Sequence, residues 1–371
     1  MRSMATEATG IRALAGRALR AILPFAREEG GATARQVFVS SVRVGPRQHE
    51  LLLIDERGAA VGRMKLAGRA HDIAVDPERK RLAVFARRPG YFAVIVDAES
   101  CTPLATITPP EGHHFFGHGI FSADGRLLYA TENRFGDDRS RGVVGIYDAS
   151  GESYQRIGEF ETHGVDAHEM LLAGDGRTLV IANGGIETHP DYGRQKLNLA
   201  EMRPSIVRID SDTGDLLDET VLDSSLNRLS MRHMTFDGAG SVWFGCQWEG
   251  ERGVRPPLVG RIGRDGKATL MAFPDKVATL ARNYIGSVVA SRDGSTIATS
   301  SPIGGQVFFW DATSGDFRDC VALPDGCGIA ATEGEAFLAT AGDGRVMRAR
   351  NGKLTPVARR EAQFDNHLRR I

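Results

Sequence analysis

His71-Asp72-Ile73-Ala74-Val75-Asp76 is one copy of a short pattern that recurs along the chain. Gly117-His118-Gly119-Ile120-Phe121-Ser122, His168-Glu169-Met170-Leu171-Leu172-Ala173 and Arg232-His233-Met234-Thr235-Phe236-Asp237 align beneath it. Gly286-Ser287-Val288-Val289-Ala290-Ser291 and Gly326-Cys327-Gly328-Ile329-Ala330-Ala331 match without a histidine. Each copy runs into a turn, such as Asp124-Gly125, Asp175-Gly176 or Asp293-Gly294, and then into a short apolar strand. A repeat of about 40–65 residues built from strands and turns alone predicts a β-propeller.

Working outward, blade one spans roughly His71 to Pro109, and blades two to six end near Thr162, Leu222, Phe273, Leu323 and Arg359. Two orphan ends remain. Residues 36–66 read as three strands (37–42, 49–54, 60–65) without an inner one. Residues 363–371 read as one strand without partners. Joined, they make a seventh blade. The expected fold is therefore all-β, a seven-bladed propeller closed by N-terminal strands pairing with the C-terminal strand, which removes exposed edges. The expected domains are a leader or degraded export signal over 1–35 and a single propeller over 36–371. In the leader, Ile11, Leu14, Leu19, Ile22 and Leu23 fall at helical spacing among Arg12, Arg17 and Arg20. Ala32-Thr33-Ala34 resembles a signal-peptidase site.

Composition narrows the function classes. The 371 residues carry 46 Lys+Arg against 47 Asp+Glu, a formal net charge of −1, so charge makes no case for nucleic acid or an anionic membrane surface. No stretch is long enough to span a bilayer. The 44 glycines suit a fold with many tight turns. The four cysteines, Cys101, Cys246, Cys320 and Cys327, lack metal-motif spacing and neither require nor exclude a disulfide. No GxSxG elbow, P-loop or HExxH is present, and no organic cofactor is expected.

The repeat phase is the chemical signal. His71, His118, His168 and His233 stand at the start of predicted inner strands. Ring closure brings His367 to the same phase. These five of the ten histidines should converge on the central channel. The candidate metal ligands are His71, Asp72, His118, His168, Glu169, His233, Cys327 and His367, with Ser287 also facing inward. Imidazole, carboxylate and thiolate are transition-metal donors, and imidazole suits iron, copper, zinc and nickel. The competing reading is that repeats copy residues by descent, or that each histidine caps its strand through the backbone. His113, His114, His163 and His189 lie nearby as alternative or supporting groups.

The long polar loops between second and third strands return to the face where the inner strands begin. Asn133, His163, Asn183, His189, Arg194, Lys196 and Gln247 are the candidate ligand or partner residues there. Arg194 and Lys196 could hold an anion or a partner's carboxylate. Trp243 and Trp310 read as blade packing, and Trp248 as packing or a substrate platform.

Several of these segments together resemble an uncharacterised bacterial family known only as a domain of unknown function. They include Phe116-Gly117-His118-Gly119-Ile120-Phe121-Ser122-Ala123-Asp124-Gly125, Thr162-His163-Gly164 with Ala167-His168-Glu169, and Ala182-Asn183-Gly184-Gly185-Ile186-Glu187-Thr188-His189-Pro190. Gly193-Arg194-Gln195-Lys196-Leu197-Asn198-Leu199, Leu229-Ser230-Met231-Arg232-His233, Tyr284-Ile285-Gly286-Ser287 and Asp365-Asn366-His367 complete the match over about residues 36–371. Members look exported, with a twin-arginine signal that this chain lacks. Their genes often lie beside imelysin-type iron-regulated proteins and di-haem oxidoreductases. The resemblance implies a periplasmic role near iron or copper handling, with such proteins as partners; a monomer is expected, and without export the location would be cytoplasmic. By architecture the histidine ring is also similar to copper-binding propellers of the methanethiol-oxidase and nitrous-oxide-reductase kinds. The function expected is metal acquisition or delivery, with a metal-dependent oxidoreductase or a metal-free interaction scaffold as alternatives.

Overall fold

Seven antiparallel sheets follow one another along the chain in a computed structural model that describes residues 35–136, 139–350 and 352–371. The expected leader therefore lies outside the described residues, apart from Arg35. Blade one comprises strands Ala70–Val75, Arg81–Ala86, Ala93–Asp97 and Thr102–Ile107. Blades two to six repeat this four-stranded meander, with inner strands His113–Phe121, Ala167–Leu172, Leu229–Phe236, Ser287–Ala290 and Gly326–Ala331. The last strands end at Glu161, Val221, Met271, Ala322 and Arg359, within two residues of the sequence reading. The fold is a seven-bladed β-propeller.

The seventh blade draws on both chain ends. Val37–Gly45, Gln48–Asp55 and Ala60–Leu66 form a meander. Val37–Gly45 also pairs antiparallel with two short C-terminal strands, Gln363–Phe364 and Arg369–Arg370. The C-terminal segment is thus not one continuous strand. Asp365–Leu368 leaves the ladder, and His367 sits in that break. The Ser40 hydroxyl donates to the His367 carbonyl at 2.7 Å and holds the break against the sheet. Gly328 allows the close approach of blade six. A Cβ there would stand 2.7 Å from Leu368 N.

The core is divided among the spaces between neighbouring blades. Phe85 and Ile95 of blade one meet Phe115, Phe121 and Leu128 of blade two, and Phe38 and Leu52 of blade seven meet Leu338 and Val346 of blade six. Around blade four, Trp243 and Trp310 are fully buried, which settles them as packing residues. Each blade buries both faces, so its middle strands read as near-continuous apolar runs, Leu82–Ala86 for example. The inner strands of consecutive blades contact one another in order around the axis. Every inner strand therefore begins close to the others, which positions the site. Among the described residues no helix is long and apolar enough to cross a membrane.

Candidate metal centre

In a regular strand, neighbouring side chains point to opposite faces. The inner strands break this rule where the histidines lie. Pairing with the second strand shifts register between Ala70 and Ile73, between Phe115 and Gly119, between Ala167 and Met170, and between Met231 and His233. Such irregularities re-aim side chains, and here they let His71 and Asp72, or His168 and Glu169, both reach the axis. Blade five has no shift, and its Ser287 pairs regularly with Ser300. Gly117 makes room beside His118. Its φ is +104°, and a Cβ on it would stand 2.9 Å from His71 Cδ2.

The five imidazoles form one buried cluster with His118 at its hub. His118 lies 4.9 Å from His71, 4.5 Å from His168, 5.8 Å from His233 and 5.0 Å from His367, centroid to centroid. The other four close around it, with 6.0 Å between His71 and His168, 4.8 Å between His168 and His233, 5.0 Å between His233 and His367, and 4.7 Å between His367 and His71. Three donor sets have ligand atoms within 4.8 Å of one another: His71–His118–His168, His118–His233–His367 and Asp72–His118–Glu169. These groups could hold a metal ion.

Hydrogen bonds separate the sets. Asp72 Oδ2 lies within hydrogen-bond distance of His118 Nδ1, at 2.9 Å, whereas Glu169 Oε2 accepts from Met234 N at 2.9 Å and stands 3.4 Å from His233 Nδ1 without a hydrogen bond to it. An ionised carboxylate only accepts, so it favours a proton on Nδ1 and a free lone pair on Nε2. His118 Nε2, His233 Nδ1 and His367 Nε2 are all buried without a hydrogen-bond partner among the described residues. His168 differs. Arg232 Nη2 lies 3.1 Å from its Nδ1. An arginine cannot accept, so His168 Nδ1 carries the lone pair and Nε2 the proton. His118 is therefore the ring best prepared to bind a cation, and His233 and His367 lie within ligand reach of it.

Arg369 completes the polar core, and the sequence reading missed it. Its Nε and Nη2 reach Asp72 at 2.7 and 2.6 Å, and Nη2 also reaches Glu169 at 2.6 Å. Burial alone would raise both carboxyls. Arg369 reverses this, holding Asp72 well below the usual range and Glu169 at about 2. The two acids thus stay ionised but are neutralised in part by Arg369, and serve the imidazoles as orienting groups. His71, His168, His233 and His367 are disposed toward the neutral form. Burial lowers His71 to about 3 and His233 below its ordinary value, and holds His168 and His367 well below theirs. A signal for Arg369 existed: two acids in phase with five histidines need a cation in the same space, and Arg369 follows His367 by two positions.

Cys327 does not join the cluster. Its Sγ donates to the Asp325 carbonyl at 3.0 Å, and it lines a separate cleft with Asp325, Arg69 and His49. Burial pushes the thiol up, away from the thiolate a metal requires. Blade six carries a register shift like the others, between Gly326 and Ile329, yet supplies no ligand. His113 belongs to another group, with Glu132 and Glu159. That group is occupied by arginines: Arg156 reaches Glu132 at 3.0 Å and Glu159 at 2.6 Å, and Arg134 reaches Glu159 at 2.6 Å. It is an ion-pair network.

The loop residues do not converge on one place. His189 and Arg194 line a cavity of about 80 Å³ over the cluster, together with His71, His168, Arg87, Arg88 and Arg232. His114 lines it too, and its Nε2 is 3.2 Å from Asn133 Nδ2. Lys196, Gln247 and Trp248 instead line a broader cleft, where Lys196 pairs with Glu249 and Gln247 donates to Glu249 at 2.6 Å. Asn183 is structural, donating to the Thr162 carbonyl at 2.7 Å and to Ser205 at 3.2 Å. His163 is exposed in the loop before Ala167, with φ +56°.

Comparison with solved structures finds the same architecture in proteins of distant sequence. The periplasmic gluconolactonase PpgL of Pseudomonas aeruginosa shares 14% identity, with a TM-score of 0.64 over 91% of this chain and 99% of that one. The hydrazine synthase of Kuenenia stuttgartiensis shares 15% identity, with a TM-score of 0.60 over 84% and 89%. A chain of the mitotic checkpoint complex shares 13%, with a TM-score of 0.55 over 80% and 82%. Likeness at this level of identity shows the fold alone. A comparison with curated proteins gives no match. The sequence itself is more specific: residues 64–371 match the family described as "protein of unknown function (DUF1513)", and the chain belongs to that family.

Proposed function

We propose that the histidine cluster binds one transition-metal ion, iron or copper, through His118, His233 and His367, and that the protein acquires or delivers that ion. The observation that carries this reading is the pair of buried, partnerless Nε2 atoms on His118 and His367. Buried polar atoms without partners are costly and rare, and a cation would satisfy them. His71 supplies an alternative donor on the side of the cavity, whereas the His168 lone pair is taken by Arg232. Both histidine trios share His118, whose Nδ1 is engaged by Asp72, so one ion per chain is expected. A bound ion would act as a Lewis acid or a redox centre.

The protein would work in the periplasm, exported through a leader at 1–35, with imelysin-type or di-haem partners; this part of the proposal rests on the family resemblance alone. A second reading, a metal-dependent oxidoreductase, is favoured by the cavity beside His71 and His168, which would admit a small reductant. The discriminating experiment is titration of Cu²⁺, Fe²⁺ and Zn²⁺ into chelator-treated protein by calorimetry. One ion should bind per chain, and at least 100-fold more weakly to a His118→Ala/His233→Ala variant. Equal binding by parent and variant would end the metal reading. Turnover of a reductant that disappears on chelation would favour the enzyme.

A further inference from the structure

The cavity above the histidines has a charge the metal reading does not use. Asp166 bridges Arg88 at 3.2 Å and Arg232 at 2.8 Å. Asp365 bridges Arg87 at 3.1 Å and Arg69 at 2.5 Å. Arg194 reaches the same cavity from the blade-three loop and has no hydrogen-bond or ion-pair partner among the described residues. Four guanidinium groups, Arg87, Arg88, Arg194 and Arg232, thus line the cavity, and no carboxylate is among the described residues that line it. His168, with Nδ1 taken by Arg232, presents a proton on Nε2 and lines the cavity.

We propose that this cavity is a binding site for a small oxygen anion, a carboxylate or an inorganic oxyanion, held by Arg88, Arg194 and Arg232. Guanidinium groups are suited to this because their planar forks match carboxylate and phosphate oxygens, and charge-assisted bonds are the strong ones. Arg232 and Asp166 are buried, so the ligand would be held in surroundings that screen charge poorly. Size narrows the class further. A cavity of about 80 Å³ holds a few non-hydrogen atoms, well short of the roughly 300–1,000 Å³ of pockets for drug-sized ligands. A nucleotide or a citrate-sized anion would have to protrude from it. The site stands on the arginines, so it does not depend on the metal.

The test is calorimetric titration of inorganic phosphate, acetate and citrate into metal-free full-length protein in low-chloride buffer, with Arg194→Gln and Arg88→Gln beside the parent. Arg194 is exposed, so its variant should fold as the parent does. Saturable binding of phosphate or acetate, weakened at least tenfold by Arg194→Gln, supports the site, and the tighter of the two identifies oxyanion or carboxylate. No saturable binding of either, or equal binding by parent and both variants, overturns it. Citrate binding as tight as phosphate overturns the size limit. Because no metal is present, anion binding can succeed where metal titration fails, and the reverse.

Discussion

Asp72 Oδ2 lies 2.9 Å from His118 Nδ1, and the opposite nitrogen of the same ring is buried without a partner among the described residues. One contact thus orients the hub imidazole and sets which nitrogen carries the lone pair. Replacing Asp72 with Asn removes the ionised acceptor. Metal affinity should fall about 10–100-fold, while Cys327→Ser, which touches a different cleft, should leave it at the parent value. Competition titration against a chelator of known affinity measures both. A parent-like Asp72→Asn would show that the carboxylate does not prepare the ring.

Arg369 is the shared counter-ion of two buried acids. Arg369→Met leaves Asp72 and Glu169 unpaired and should destabilise the protein by about 3–5 kcal/mol. Adding Asp72→Asn and Glu169→Gln to that variant should recover much of the loss. Chemical denaturation of the three proteins decides it. A single variant as stable as the parent would show that the acids find another partner.

Acid should weaken the metal-free fold before its carboxylates titrate. His71 drops from 6.5 in the unfolded chain to about 3 in the fold, so the unfolded state takes up the proton first. Its stabilisation is complete above pH 6.5 and is lost as pH falls toward 3. Glu169, lowered from 4.5 to about 2, adds to the loss only below pH 4.5. Between pH 6.5 and 4.5 the slope therefore reports imidazoles, at about 1.4 kcal/mol per pH unit for each proton. His71→Asn should flatten it by up to that amount in urea denaturation series at pH 6.5, 5.5 and 4.5. An unchanged slope would show that His71 is not buried as a neutral ring.

Gly117 combines a left-handed φ of +104° with a Cβ position 2.9 Å from His71 Cδ2. Gly117→Ala should cost about 1–3 kcal/mol through strain and forced displacement of His71. Thermal melts test the cost. Because His118, His233 and His367 remain, the variant should still bind one ion, which calorimetry would show.

The strand pattern was readable because a propeller repeats it. Alternating apolar strands and Asp-Gly turns are local signals, and each blade supplies another copy. The phase of His71, His118, His168 and His233 followed from the same copies, and all four lie in one cluster with His367. Cys327 occupied the same phase and went elsewhere, because phase locates a strand position without fixing the direction of the side chain. Arg369, Arg232, Arg87 and Arg88 passed unmarked. Their roles come from partners up to 297 positions away in the chain, as with Arg369 and Asp72.

The order of residues by itself determined the blades, the turns between them and the family to which the chain belongs, since these arise from short-range periodicity. Tertiary structure decided which imidazoles hold a lone pair toward the axis, which acids are neutralised and which arginines crowd the cavity. Those properties depend on charge and burial between groups brought together by closure of the ring, and no local pattern encodes them.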